Sequence, residues 1–297
     1  MENNRKKKSR ADITFIIVNT FILTAFCALT LYPILNTLAI SLNDGMDAVR
    51  GGIYLIPRKF TLQNFYSVVT RDNMLTAVKI SVLRTVIATF LQMFITALLA
   101  YVLSRKEYLF QKQVSIFYVL TMYVSGGLVP TLLLYKNLGL TNNFWVYIIP
   151  GAISAFNMIV IRTFMNGLPD SFVESAQVDG AGHLKIFLRI ILPLCKPVMA
   201  TVALFIAVFQ WNSWFDAMLY NQNRPDLTTM QYELMKLLSS VSQQTGSASM
   251  MKNAENQITP ITIRAATAIF TAAPIVCLYP SLQKYFINGM MVGGVKE

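Results

Sequence analysis

Charge is what this 297-residue chain has least of: Asp, Glu, Lys and Arg make up 13% of it, about half the ~25% typical of a soluble domain. That leaves too little ionic surface to solvate a globular exterior. Histidine occurs once and cysteine three times, at Cys27, Cys195 and Cys277, with neither C-x-x-C nor H-E-x-x-H spacing. No metal site or disulfide framework can be built from that set, and the cysteines read as packing residues. The G-x-x-x-x-G-K-[ST] loop is also missing, so this chain cannot itself cradle a nucleotide triphosphate. Neither an internal repeat nor a polar stretch long enough for a soluble domain is visible.

What is there is apolar: 55% hydrophobic residues and a mean hydropathy of +0.50. About 20 residues at 1.5 Å each cross ~30 Å of hydrocarbon. Six segments qualify: residues 13 to about 42, 80 to 104, 114 to 135, 144 to 165, 198 to 219 and 261 to 286. Backbone amides in lipid must be satisfied within the segment, and these runs far exceed the ~10 residues of a barrel strand, so they predict helices. The fold class expected is all-α, a polytopic membrane protein with six transmembrane helices.

Orientation follows Lys and Arg. Arg5, Lys6, Lys7, Lys8 and Arg10 precede the first segment, and Arg105, Lys106 and Lys112 follow the second. Both sets belong in the cytoplasm, which places the 169–193 loop and both termini there as well. The same bias accounts for the formal charge of +11 without a nucleic-acid partner. The first run is too long for a signal-peptide core and reads as a retained anchor. The division expected is a cytoplasmic tail at 1–12, a permease domain at 13–288 with an outward loop at 220–260, and a cytoplasmic tail at 289–297. In the outward loop, Met230, Leu234, Leu237, Leu238 and Val241 predict a short amphipathic helix, and the Ser/Gly/Gln-rich stretch near 242–256 reads as a mobile loop.

The 169–193 loop holds the densest signal. Ser171 and Glu174, three apart after Pro169, read as a capping box that starts a helix outside the membrane. Val173, Ala176, Gly180, Leu184, Phe187 and Ile191 recur every three or four residues as an apolar stripe. Ala176, Gly180, Ala181 and Gly182 flatten its start, Gly180 or Gly182 breaks the helix, and Pro193 and Pro197 oppose continuation into the fifth segment. On periodicity alone, a solvated connector with Glu174 as a mere cap fits as well as a helix built for a groove on another protein.

Spacing carries more. Glu174-Ser175-Ala176, three residues, Gly180, nine residues, Ile190, one residue, Leu192-Pro193 resembles the coupling motif Glu-Ala-Ala-x3-Gly-x9-Ile-x-Leu-Pro of the membrane subunits of bacterial ABC importers. The departure is Ser175, and Asp179 before Gly180 resembles the carbohydrate-uptake form. Residues 125–140, 162–182, 193–218 and 285–297 look like the maltose-transporter-like permeases, within them the lipoprotein-linked oligosaccharide and aldouronate-type group. The resemblance implies a carbohydrate importer's permease subunit. Its partners would be a second homologous permease, two ATP-binding subunits that hold ATP and Mg, and an extracytoplasmic solute-binding protein that meets the outward loop. It implies no cofactor in this chain. The coupling residues carried over are Glu174, Ser175, Ala176, Asp179, Gly180, Ala181, Gly182, Leu184, Phe187, Ile190, Leu192 and Pro193. Ala176, Gly180, Leu184 and Phe187 would bury in the ATPase cleft, with Glu174, Asp179, Lys185 and Arg189 forming rim pairs that set register.

For the transport path, a polar side chain inside a membrane segment is a functional candidate by default. Gln210, Trp211, Asn212, Trp214 and Asp216 interleave amides and a carboxylate with rings, which suits sugar hydroxyls and C–H faces; an interfacial aromatic belt fits them equally. Arg84 either snorkels outward or pairs with Asp216. Gln92 and Asn157 either line the path or bond to neighbouring helices. The sugar expected is an oligosaccharide, with uronic-acid-containing ones among the candidates. A secondary transporter and a lipid-modifying membrane enzyme are the rivals; the first calls for paired broken helices in inverted halves, the second for clustered acids or histidines at one membrane face. The purified chain alone is expected to show neither transport nor turnover until its partner subunits are added, as measured in proteoliposomes.

Overall fold

The computed structural model describes residues 9–70, 73–244 and 258–294, with side chains described to 240 and from 258 to 277. The Arg5–Lys8 cation cluster and most of the 242–256 loop lie outside the described residues. Every regular element among those described is helical. They divide into two units, residues 1–70 with 240–270 and residues 71–239 with 271–297.

In the first unit, α1 (Arg10–Ser41) is predominantly apolar on all sides and its residues 10–35 are exposed. Beyond it the chain makes an excursion through α2 (Gly45–Val49) that closes at an antiparallel bridge between Asn43 and Phe60, then enters α3 (Gln63–Val69). Buried side-chain amides hold the closure. Asn43 Nδ2 donates to Asp47 Oδ2 at 2.9 Å, and Asn43 Oδ1 accepts from the Lys59 amide at 2.8 Å. Asn64 Nδ2 donates to the carbonyls of Ser41 and Asn43, both at 2.9 Å. Arg58 reaches Asp47 Oδ2 through Nε at 3.0 Å. Asn36, on α1, donates to the carbonyls of Ile53 and Tyr54 at 2.7 and 2.8 Å, so the tip of the excursion lies alongside the helix.

The second unit is organised by α4 (Met74–Ser104). It packs against α7 (Ala155–Asn166) and α11 (Lys196–Asn212), and the core between them contains Ala97, Tyr101, Met158, Ile161, Val202 and Ile206. Among the described residues, three helices are long and apolar enough to cross a membrane: α1, α4 and the start of α14 (Pro260–Gly294), with a fourth if the bent pair His183–Leu194 and Lys196–Asn212 counts as one span.

The other expected spans are interrupted rather than continuous. The third is α5 (Gln111–Thr121) and α6 (Leu128–Asn137), parted at Gly126-Gly127, where Gly127 takes φ +86°. The fourth starts as a single tight turn, Phe144–Tyr147, stops at Pro150-Gly151 and resumes in α7, whose start Ser154 caps by accepting the Asn157 amide. Proline cannot donate there. A Cβ on Gly151 would lie 2.6 Å from Gln92 Nε2, so a larger residue there would require the Gln92 amide to move. The fifth ends at Asn212 and restarts after Ser213-Trp214 as α12 (Phe215–Tyr220). The amphipathic helix expected in the outward loop is α13 (Met230–Gln244), with Met230, Leu234 and Leu237 buried.

Asp47 makes the excursion acid-sensitive. The Asn43 amide, then the Arg58 hydrogen bond and charge, outweigh desolvation and hold its carboxyl below the usual value. A depressed folded pKa contributes stability that is complete above the unfolded carboxylate pKa of about 3.9 and is lost as pH falls through the lower folded one. Amide exchange across 43–61, corrected for intrinsic rate, is expected to rise on acidification from about pH 5 to about pH 3, and Asp47→Asn to abolish that dependence.

Candidate functional site

Two regions of the second unit carry functional side chains. The first is the loop after α7. Its helix α8 (Ser171–Val178) starts without the capping box: Asp170 occupies the cap position in a helical conformation and no side chain caps the end. The Asp170 carboxylate is drawn instead to Lys106 Nζ at 2.9 Å, a hydrogen bond that holds it below its usual pKa. Ser171 lies inside the helix, where its carbonyl accepts from Ser175 Oγ at 2.7 Å.

Gly180 ends α8 with φ +75°, a conformation that costs any L side chain about 1–2 kcal/mol. The Ala181 amide closes back on the Ala176 carbonyl at 2.9 Å. The chain then runs through α9 (His183–Ile186), a wide turn with i→i+5 character at Phe187–Ile191 and the short α10 (Leu192–Leu194). An 84° bend follows before α11, at the site where Pro193 and Pro197 oppose continuation.

Of the four residues expected in a partner's cleft, Ala176 and Phe187 face inward instead, while Gly180 and Leu184 stay exposed. Val173, Ala176, Ile186, Phe187 and Ile191 are buried in this chain's own core. The Phe187 ring lies 5.3 Å from that of Tyr101 and 6.2 Å from that of Phe94. The reason is contiguity: the stripe continues onto the same face as Cys195, Met199 and Val202, which α4 already covers. Of the stripe, Leu184 remains outside, at 61% exposure, beside Phe172, Val178 at 88%, and Leu188. Glu174, Ser175, Asp179, Gly180, Gly182 and His183 are exposed with them, whereas Ala181, Ile190 and Leu192 are half-buried and Pro193 is exposed at the bend. His183 Nε2 stands 3.9 Å from Glu107 Oε2, so the turn after α4 touches both ends of the loop.

The second region is polar and inside the membrane segments. Arg84 does not snorkel; it is 1% exposed and faces Asp216. Its Nη1 and Nη2 donate to Asp216 Oδ1 and Oδ2 at 3.1 and 2.5 Å, while Nε and Nη2 donate to Gln210 Oε1 at 3.1 and 2.7 Å. Nη1 also reaches the Ser213 carbonyl at 3.4 Å, and the guanidinium carbon sits 4.3 Å from the centroid of the Tyr147 ring. Gln210 Nε2 donates onward to the Tyr147 carbonyl, and Tyr147 Oη to the Leu227 carbonyl.

Of the path candidates, Arg84, Gln92, Asn157 and Gln210 are all buried within the chain, so none stands on an open surface. Packing of α4 against α7 and α11 encloses them. Trp211 Nε1 donates to the Thr271 carbonyl at 3.1 Å. Asn212 and Trp214 border an open, shallow depression with Leu204, Phe205, Val208 and Phe209. Tyr147 was absent from the sequence reading. It is 63 positions from Arg84 and its partner is a ring face and a backbone carbonyl, which leave no mark in spacing.

A helical unit with interrupted membrane segments and an external loop carrying the coupling spacing defines a transport subunit. Residues 74–292 match the family described as binding-protein-dependent transport system inner membrane component, and the chain belongs to that family. Such subunits are non-catalytic membrane components of ABC transporters; a separate ATPase hydrolyses ATP, and a partner permease and a binding protein complete the system.

Among relatives, the polygalacturonan/rhamnogalacturonan transport system permease protein YtcP of Bacillus subtilis (strain 168) is 35% identical, over 92% of this chain and 95% of its own. Protein LplC of the same organism is 34% identical over 97% of each. Of solved structures, a bacterial ABC transporter involved in the import of the acidic polysaccharide alginate has a chain that superposes with a TM-score of 0.82. The two are 29% identical over 95% of this chain and 99% of that one.

Phe187→Ala should cost about 3–5 kcal/mol through the cavity it leaves. Leu184→Ala, on the exposed side, should stay within about 0.5 kcal/mol. Melting temperatures in detergent are expected to separate the two variants clearly.

Proposed function

We propose that this chain is one of two homologous permease subunits of an ABC importer for a carbohydrate, an oligosaccharide of the uronic-acid-containing class. YtcP and the alginate importer, both named for acidic polysaccharides, support that class. The pair of permeases assembles with two ATP-binding subunits, which hold ATP and Mg, and receives sugar from an extracytoplasmic binding protein on the 220–260 side. Six spans at the expected segments, the third to fifth of them interrupted, put both tails (1–12 and 289–297) and the 169–193 loop in the cytoplasm.

One observation carries the coupling role: the 171–191 stretch is anchored to its own core by Val173, Ala176 and Phe187 while it leaves Phe172, Val178, Leu184 and Leu188 exposed, along with Glu174 and Asp179. An apolar patch with a charged rim on a cytoplasmic projection fits the ATPase cleft. ATP binding closes the ATPases and moves α8. Because α8 and α11 share one core, that movement reaches the sugar-facing part of α11. The path then opens outward, and hydrolysis returns it inward. Asn212 and Trp214, on the depression, offer an amide and a ring to the sugar.

Two variants test the two halves of this reading in proteoliposomes holding the whole importer. Leu184→Glu should uncouple ATP hydrolysis from uptake, and single cysteines at Val178 or Leu184 should crosslink to the ATPase. Asn212→Ala should raise the transport KM. Crosslinks that never reach the ATPase, or uptake unaffected by Leu184→Glu, contradict the coupling half; an unchanged KM contradicts the sugar face.

A further inference from the structure

The buried charge has a geometry that packing alone does not demand. All the polar partners of Arg84 lie between Gln210 and Asp216, the window in which α11 stops and α12 starts. Ser213 there is extended, at φ −74° and ψ 126°, so the helix ladder no longer satisfies its carbonyl. A helix C-terminus also carries partial negative charge. The guanidinium supplies the missing donor and the counter-charge, and its five fixed N–H groups serve an amide, a carboxylate and a carbonyl at once. Asn212, Ser213, Trp214 and Phe215 of that window border the depression, and Arg84 reaches this stretch through the Ser213 carbonyl.

We infer that Arg84 is a positioning residue for transport: it fixes the Ser213–Trp214 break so that Asn212 and Trp214 present a sugar-binding face. The inference rests on the sugar-face reading above and adds to it the group that sets its shape. Lysine at this site keeps the charge and the pairing with Asp216 but replaces the fork with a single point donor. A purely structural role needs only a balanced charge, whereas positioning needs the fork.

The test is Arg84→Lys in the complete importer, with uptake normalised to assembled complex and KM separated from the maximal rate. Positioning gives a KM raised about tenfold with assembly retained, the scale on which small misplacements act. A KM equal to the wild type overturns it. Should Arg84→Lys assemble poorly, the neutral pair Arg84→Gln with Asp216→Asn takes its place, since it buries no unmatched charge. A raised KM in that pair, beyond that of Asp216→Asn alone, supports the inference, and a KM matching Asp216→Asn alone refutes it. Asn212→Ala separates the two readings. If that variant raises KM while Arg84→Lys does not, the sugar face stands and the positioning role falls; if neither raises it, the face itself is misassigned.

Discussion

A guanidinium taken out of water inside a membrane segment must find acceptors within its own protein or cost several kcal/mol. The seam between α4 and α11 is arranged around that constraint. Gln210 and Asp216 come to Arg84 from one side, Tyr147 lies against its face, and Gln210 passes the network on to Tyr147's backbone. Lower on the same helix, α4 changes chemistry and presents Ala97, Ala100 and Tyr101, against which α7, α11 and Phe187 close. One helix thus has a polar end bonded to the break between α11 and α12 and an apolar end packed against the 169–193 loop. The rest of the second unit is packed relative to those two attachments.

The difference between the two ends matters for what each can do. Apolar packing around Phe187 is non-directional and tolerates small shifts of α8. The Arg84 network is directional: a forked donor set loses several bonds together when one partner turns away. Under the proposed coupling, movement entering at the 169–193 loop would meet a compliant contact first and a specific one last, which suits a subunit that transmits motion yet keeps one binding geometry.

Much of this could be read from the residues in order. The membrane class followed from scarcity of charge, and the family from offsets between Glu174 and Pro193, because local spacing is what a sequence records directly. Gly180 as the helix terminator was legible for the same reason. The direction of the stripe was not: Phe187 is covered by Tyr101 and Phe94, 86 and 93 positions earlier in the chain, and periodicity is blind to whether the cover is internal or external. The capping box failed at Ser171 because the helix begins one position earlier, with Asp170 at the cap, which leaves Ser171 inside the first turn. Continuous hydropathy hid the breaks at Gly126-Gly127 and Pro150-Gly151, since glycine and proline raise little objection in a window average yet decide the local backbone. The pairing of Arg84 with Asp216 was available as one of two readings; burial decided it.

The elbow before α11 has a mechanical meaning. With two rods meeting at 84°, thrust directed along the shorter has almost no component along the longer. Under the proposed coupling, a push on the shorter arm would swing the longer one sideways instead of sliding it like a piston, so the depression beside it would change width far more than depth.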